Sequence, residues 1–198
     1  MTERLDINDL LKFSLDLYKK RNYGFSLLVV HGISLGVKIG KQLPLKWSDF
    51  ITNNRYVKVK KEIIVDGRTI TLNETCRKIT LMVYNKNKNK INLNDYIYVT
   101  KKGVHITTCN LSKTLRSYAL NFYGKRYVNL KSSSLERAWA LSVVEANNYS
   151  KESFNFITNF SGKRTITETY AWLGCEAIKP KINIRYDYID DLTLSLNY

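Results

Sequence analysis

Three cysteines and two histidines are the side chains best suited to metal or nucleophilic chemistry here, and their spacing argues against both. Cys76, Cys109 and Cys175 lie far apart, with neither a Cys-x-x-Cys pair nor a neighbouring histidine to complete a zinc site. They read as reduced thiols, mostly buried as small hydrophobes. His31 and His105 stand beside no serine or carboxylate pattern that would make a triad. No metal and no cofactor is expected. What remains is charge: 32 Lys and Arg against 17 Asp and Glu, a net of +15. Residues 51–150 hold 18 basic and 6 acidic side chains, whereas residues 151–198 hold 6 of each. A surplus of this kind points to a polyanion, most often nucleic acid, because released counterions drive the association. The competing explanation is a solvated surface set by codon usage rich in Lys, Asn, Ile and Tyr.

The elements that must carry these charges follow from periodicity. With 198 residues, 44% hydrophobic and 25% charged, the chain can bury a core without staples. The longest apolar run, Phe25 to Val30, is too short to cross a bilayer, and acidic Glu3, Asp6 and Asp9 replace the basic start of a signal peptide, so a cytoplasmic protein is expected. Leu10, Leu11, Phe13, Leu17 and Tyr18 predict a helix over 6–23, and an almost wholly apolar second helix over 25–35 should be central. From about Arg55 to Leu81 the period changes to two. Ile63 to Val65, Asp66-Gly67 and Thr69 to Leu72 read as a hairpin, and Cys76 to Val83 as a further strand. Residues 85–90, Asn-Lys-Asn-Lys-Asn-Lys, read as an exposed loop, and Tyr96 to Thr100 as a short strand before Lys101-Lys102-Gly103. Helices are then predicted from about Thr108 to Gly124, Ser132 to Asn147, Lys151 to Ser161, and from Thr165 onward. The result is an α+β fold, mostly helical with a small antiparallel sheet. Residues 1–180 are expected to form one domain, and residues 181–198 a C-terminal strand or arm.

One stretch organises the rest. Gly36-Val37-Lys38-Ile39-Gly40-Lys41-Gln42-Leu43-Pro44-Leu45-Lys46-Trp47-Ser48-Asp49-Phe50 is a glycine turn, a short amphipathic helix and an exit into extended chain. It resembles, without a gap, the Gly-Leu-Arg-Ile-Ser-Glu-Leu-Leu-Ala-Leu-Lys-Trp-Ser-Asp-Ile stretch of tyrosine recombinases, the phage integrases and their relatives. Later, Ser133 to Ala140 resembles the family's His-x-Leu-Arg-His-Thr-Phe-Ala helix, and Phe160-Ser161 followed by Thr169-Tyr170 resembles its Gly-His turn and nucleophilic tyrosine. The resemblance runs in order along nearly the whole chain and implies that family's catalytic-domain fold. It puts Lys38 in place of the first arginine, Lys41 in place of a buried glutamate, Ser133 and Ser161 in place of two histidines, and Glu136 in place of the second arginine. Tyr170 keeps the nucleophile's place, and the family's sheet lysine has candidates in Lys58, Lys60, Lys61 and Lys78.

That chemistry needs two guanidinium forks on the phosphate whose charge grows as the tyrosine attacks. Lysine keeps charge without the fork. A carboxylate at Glu136 would repel the phosphate by on the order of 4 kcal/mol at 4 Å and an effective dielectric near 20. Tyrosine recombinase chemistry is therefore expected to be lost, leaving a non-enzyme. The family's separate N-terminal clamp domain has no counterpart in the roughly 24 residues before the second helix, so one-sided, weaker DNA binding is expected. DNA contacts are expected at Lys58, Lys60, Lys61, Arg77, Lys78, Lys101, Lys102, Lys113 and Arg116. Ile182, Ile184, Tyr186 and Tyr188 alternate in the arm and suit strand addition on a neighbouring subunit. The expected role is a DNA-facing structural component of an assembly such as a phage portal or tail ring, with a stand-alone DNA-binding protein second and an active recombinase third.

Overall fold

The computed structural model describes residues 6–53, 56–109, 111–124 and 129–175. The expected arm, with Ile182, Ile184, Tyr186 and Tyr188, and the expected boundary at residue 180 lie outside the described residues.

Helix α1 (Ile7–Lys19) starts at Asp6, whose carboxylate accepts the Asn8 N–H at 2.7 Å, and it buries Leu10, Phe13 and Leu17. Helix α2 (Tyr23–Leu35) is buried on every side apart from Tyr23, as its almost wholly apolar sequence requires. It packs against α1 on one flank and against the later helices on others. Gly24 permits one of these approaches. A Cβ there would stand 1.9 Å from the Val99 carbonyl oxygen, so only glycine lets the 97–99 segment lie on the helix.

After α2 the chain turns through Gly36 into the four-residue helices α3 (Ile39–Gln42) and α4 (Trp47–Phe50). Two antiparallel ladders follow, β1 (Ile51–Asn53) with β2 (Val57–Val59), and β3 (Glu62–Val65) with β4 (Arg68–Thr71). Asp66 and Gly67 link β3 to β4 with φ of 52° and 74°, the double left-handed geometry of a two-residue hairpin turn. Ile63 and Val65 face the core and Ile64 faces out, which is the alternation the hairpin reading requires.

Four expectations need correction. Cys76 to Val83 is no strand but the middle of helix α5 (Glu74–Asn87), capped by the Asn73 side chain on the Cys76 N–H at 2.8 Å. Cys76, Ile79, Thr80 and Val83 are all buried at helical spacing, so the capped helix wins over local β propensity. The 85–90 stretch ends α5 and adds a short 3-10 turn, and residues 96–105 form only the isolated bridges Lys46↔Tyr96 and Val99↔His105. The described strands therefore make two separate two-stranded ladders, not one sheet of three or more.

The second half follows the reading closely, with α6 (Leu111–Tyr123), α7 (Ser132–Ala146), α8 (Lys151–Ser161) and α9 (Ile166–Leu173). Ser150 and Thr165 cap α8 and α9, and Gly162 and Gly174 close them in the left-handed conformation. The main core runs through α1, α2, the hairpin and α5. A second cluster of Trp139, Leu141, Val144, Phe154, Ile157 and Leu173 joins α7, α8 and α9. No helix among the described residues is long and apolar enough to cross a membrane.

Candidate functional site

Gly36 sets the site by its backbone. Its φ of 67° ends α2 in the left-handed region, and a Cβ there would stand 2.5 Å from the Trp139 ring, so α7 closes directly on the turn. Val37 is then buried while Lys38, one residue on, is exposed at the entrance to α3. Lys41 follows on the same short helix. The β3–β4 tip brings Asp66 and Arg68 to this point, α7 brings Glu136, and the end of α8 brings Phe160, Ser161 and Gly162.

These residues line a pocket of about 150 Å³. That is smaller than the roughly 300–1,000 Å³ of sites for drug-sized ligands, and it suits a small anionic group. Three cations converge on it. Lys41 Nζ pairs with Asp66 Oδ1 at 3.0 Å, on a half-exposed surface. Arg68 donates from Nη1 to the Phe160 carbonyl at 2.7 Å and lies 4.9 Å over the Phe160 ring, a cation–π contact. Trp139 supports that ring from behind, at 4.8 Å between centroids. Burial pushes the Glu136 carboxyl above the ordinary carboxylate range, against the opposing pull of Lys38 and Lys163. Burial thus eases its protonation, and a protonated carboxyl donates a hydrogen bond to an anion where a carboxylate would repel it.

The structure brings several of the motif residues together. Lys38, Glu136 and Ser161 line the pocket together, in the helical phase the motif requires. Arg137, one position on, instead reaches across to the Leu173 carbonyl at 3.4 Å. Lys41 occupies the position of a buried glutamate and is exposed. Ser161 turns its hydroxyl back to the Ile157 carbonyl at 2.7 Å. Ser133 is exposed in the first turn of α7 and is not among the pocket residues, and Tyr170 lies in the second core cluster, its ring 4.1 Å from that of Phe154.

None of the nine residues expected to contact DNA lines this pocket. Lys58 is exposed on β2 and Lys61 just before β3, Lys101 and Lys102 on a tight turn, and Lys113 and Arg116 on α6. Lys60 donates to the Ser48 carbonyl at 2.8 Å, Arg77 is half-buried, and Lys78 pairs with Glu74 at 2.6 Å. The residue that sequence reasoning missed is Arg68. The four sheet lysines considered for that part of the site all lie elsewhere, and the only available signal was that Arg68 follows the Asp66-Gly67 turn.

No protein-family model and no curated protein sequence matches the chain. Solved structures do. XerA recombinase superposes over 87% of this chain and 59% of its own, with a TM-score of 0.61 and 20% identity. The Tn1549 transposon integrase, in complex with circular intermediate DNA, covers 83% of this chain and 57% of its own, with a TM-score of 0.55 and 15% identity. The chain thus has the fold of a tyrosine recombinase catalytic domain and spans less than two thirds of the length of these proteins. The expectation of a non-enzyme is corrected by the same matches. The fold is that of a recombinase and an integrase, and nothing in the pocket shows the catalytic positions to be lost. Comparing motif positions singly overlooked that Arg68 enters from the hairpin and that Glu136 is pushed toward its neutral form.

Proposed function

We propose that this chain binds duplex DNA through its backbone, seating one phosphate in the pocket formed by Lys38, Lys41, Arg68 and Glu136. The observation that carries this reading is the convergence of three cations, two from the α3 turn and one from the β3–β4 hairpin, on a pocket of phosphate size. The DNA present in the Tn1549 integrase structure supports it. Recognition is sequence-independent, because phosphate contacts position a protein without reading bases. The test is fluorescence anisotropy on random-sequence duplex across a salt titration. Binding that weakens steeply with salt is expected, with a log–log slope of about −0.9 for each phosphate neutralised. Salt-insensitive binding, or none at low salt, would sink the proposal.

Glu136 makes the affinity depend on pH. Its raised titration means that acidification neutralises it before ordinary carboxylates, so duplex affinity rises as the solution is acidified. Glu136→Gln mimics the neutral form, and it should bind more tightly than the parent at pH 8 and lose much of that pH dependence.

Reuse of the domain in a larger assembly, such as a phage portal or tail ring, is a companion proposal supported by the alternating residues Ile182, Ile184, Tyr186 and Tyr188. Sedimentation of the full chain against a truncation at Lys181 tests it. Self-association that disappears with the arm is expected, and an unchanged sedimentation profile would count against the assembly role.

A further inference from the structure

A second concavity, of about 840 Å³, shares no lining residue with the anion pocket. It opens beside the start of α2, at Tyr23 and Gly24, whereas the anion pocket begins beyond that helix's end at Gly36. Thirteen helical residues separate the two by roughly 20 Å at 1.5 Å per residue. Its volume is that of a true ligand site.

The chemistry of its walls is specific. Lys20, Arg21, Lys90 and Lys101 line it, against Asp95 as its acidic member. Lys20 pairs with Asp16 at 2.7 Å, but no carboxylate among the described residues lies within ion-pair distance of Arg21, Lys90 or Lys101. Tyr96 stands in the same wall, 41% exposed, with its ring stacked on His105 at 3.9 Å and 17°. His105 is held in place by Nε2, which donates to the Leu43 carbonyl at 2.9 Å. Lys46 adds another cation 5.9 Å from the Tyr96 centroid. The polyasparagine-lysine stretch also contributes here, through Asn87 and Lys90. An aromatic platform already built into a two-ring stack, surrounded by unpaired cations and amides, is what a base joined to phosphates requires.

We infer that this groove binds the nucleotide units of a single nucleic-acid strand, with a base stacking on Tyr96 and phosphates held by Arg21, Lys90 and Lys101. A duplex is the poorer occupant, because its bases are already stacked on one another and present no free face to Tyr96.

The experiment uses the full chain and a fluorescent oligothymidylate of about 16 nucleotides at low salt. Tyr96→Ala should weaken binding about 5- to 150-fold, while Tyr96→Phe keeps the ring and holds affinity within about twofold. Arg21→Glu combined with Lys101→Glu should remove binding, and thermal melting confirms that each variant is folded. Arg68→Glu, in the other pocket, should leave oligothymidylate binding unchanged, which separates this inference from the duplex proposal. The inference is overturned if the strand does not bind, if Tyr96→Ala binds like the parent, or if Arg68→Glu abolishes binding. Displacement by equimolar AMP would overturn the strand and leave a free mononucleotide as the occupant.

Discussion

Arg68→Glu should reduce duplex DNA affinity about 10- to 100-fold at low salt, the largest effect of any single charge reversal in the chain. A hydrogen bond to a charged group contributes about 1.5–3 kcal/mol, and each 1.4 kcal/mol is tenfold in binding. Reversal adds repulsion to that loss. Arg68 is placed for the contact because two of its interactions fix the guanidinium: Nη1 on the Phe160 carbonyl at 2.7 Å and the plane over the Phe160 ring at 4.9 Å. The remaining N–H groups of a five-donor fork stay available to a phosphate. Arg68→Lys should retain part of the affinity but not the fork, and Arg68→Ala should flatten the salt slope by about 0.9. Lys78→Glu is the matched control. Lys78 is already paired with Glu74 at 2.6 Å on an exposed helix face, so its reversal should change affinity only a few-fold. Equal losses in the two variants would mean that the total charge matters and the pocket does not.

The second large effect is on stability. His31 is fully buried in α2 and makes two hydrogen bonds, with Tyr98 Oη at 2.7 Å and Thr80 Oγ1 at 2.9 Å. Thr80 donates its single proton to the Cys76 carbonyl at 2.7 Å, so it accepts from His31 Nε2–H, and Tyr98 donates to Nδ1. The ring is therefore neutral, stacked on Phe50 at 4.5 Å, and burial lowers its pKa to about 3 from 6.5. The unfolded chain takes up a proton near pH 6.5 and the folded chain only near pH 3, so between those values the unfolded state binds more protons. Stability should consequently fall with acidification by about 1.4 kcal/mol per pH unit from this group alone. Urea unfolding of the parent and His31→Gln from pH 7 to pH 4 isolates it, since every other titrating group is shared. The parent's stability relative to the variant should decline by roughly 3 kcal/mol across that range. A difference that stays constant with pH would show that His31 is charged in the folded state.

Much of the architecture was legible in the sequence because it is local. Asp6, Ser150 and Thr165 cap their helices, Gly162 and Gly174 end them, and Asp66-Gly67 makes the hairpin turn, each through interactions within a few residues. The motif residues Lys38, Glu136 and Ser161, far apart in the chain, line one pocket because the fold brings the Gly36 turn, α7 and the end of α8 together. The 76–83 segment was misread even though Cys76, Ile79, Thr80 and Val83 carry a helical spacing, because β-branched residues beside a true hairpin suggested its continuation.

Tertiary structure alone decided which charges act together. With 32 basic residues in the chain, no sequence pattern distinguishes one lysine or arginine from another. Arg68 and Phe160 are 92 positions apart and meet only because the hairpin tip folds onto the end of α8. Glu136 moves toward its neutral form only because the packing of α7 against the Gly36 turn removes it from water. The groove at Tyr96 is likewise assembled from the end of α1, the start of α2, the end of α5 and the 91–105 segment. Local sequence sets where helices and turns begin and end, since those free energies are decided within a few residues. Side chains from distant segments become a site only when the core has closed between them.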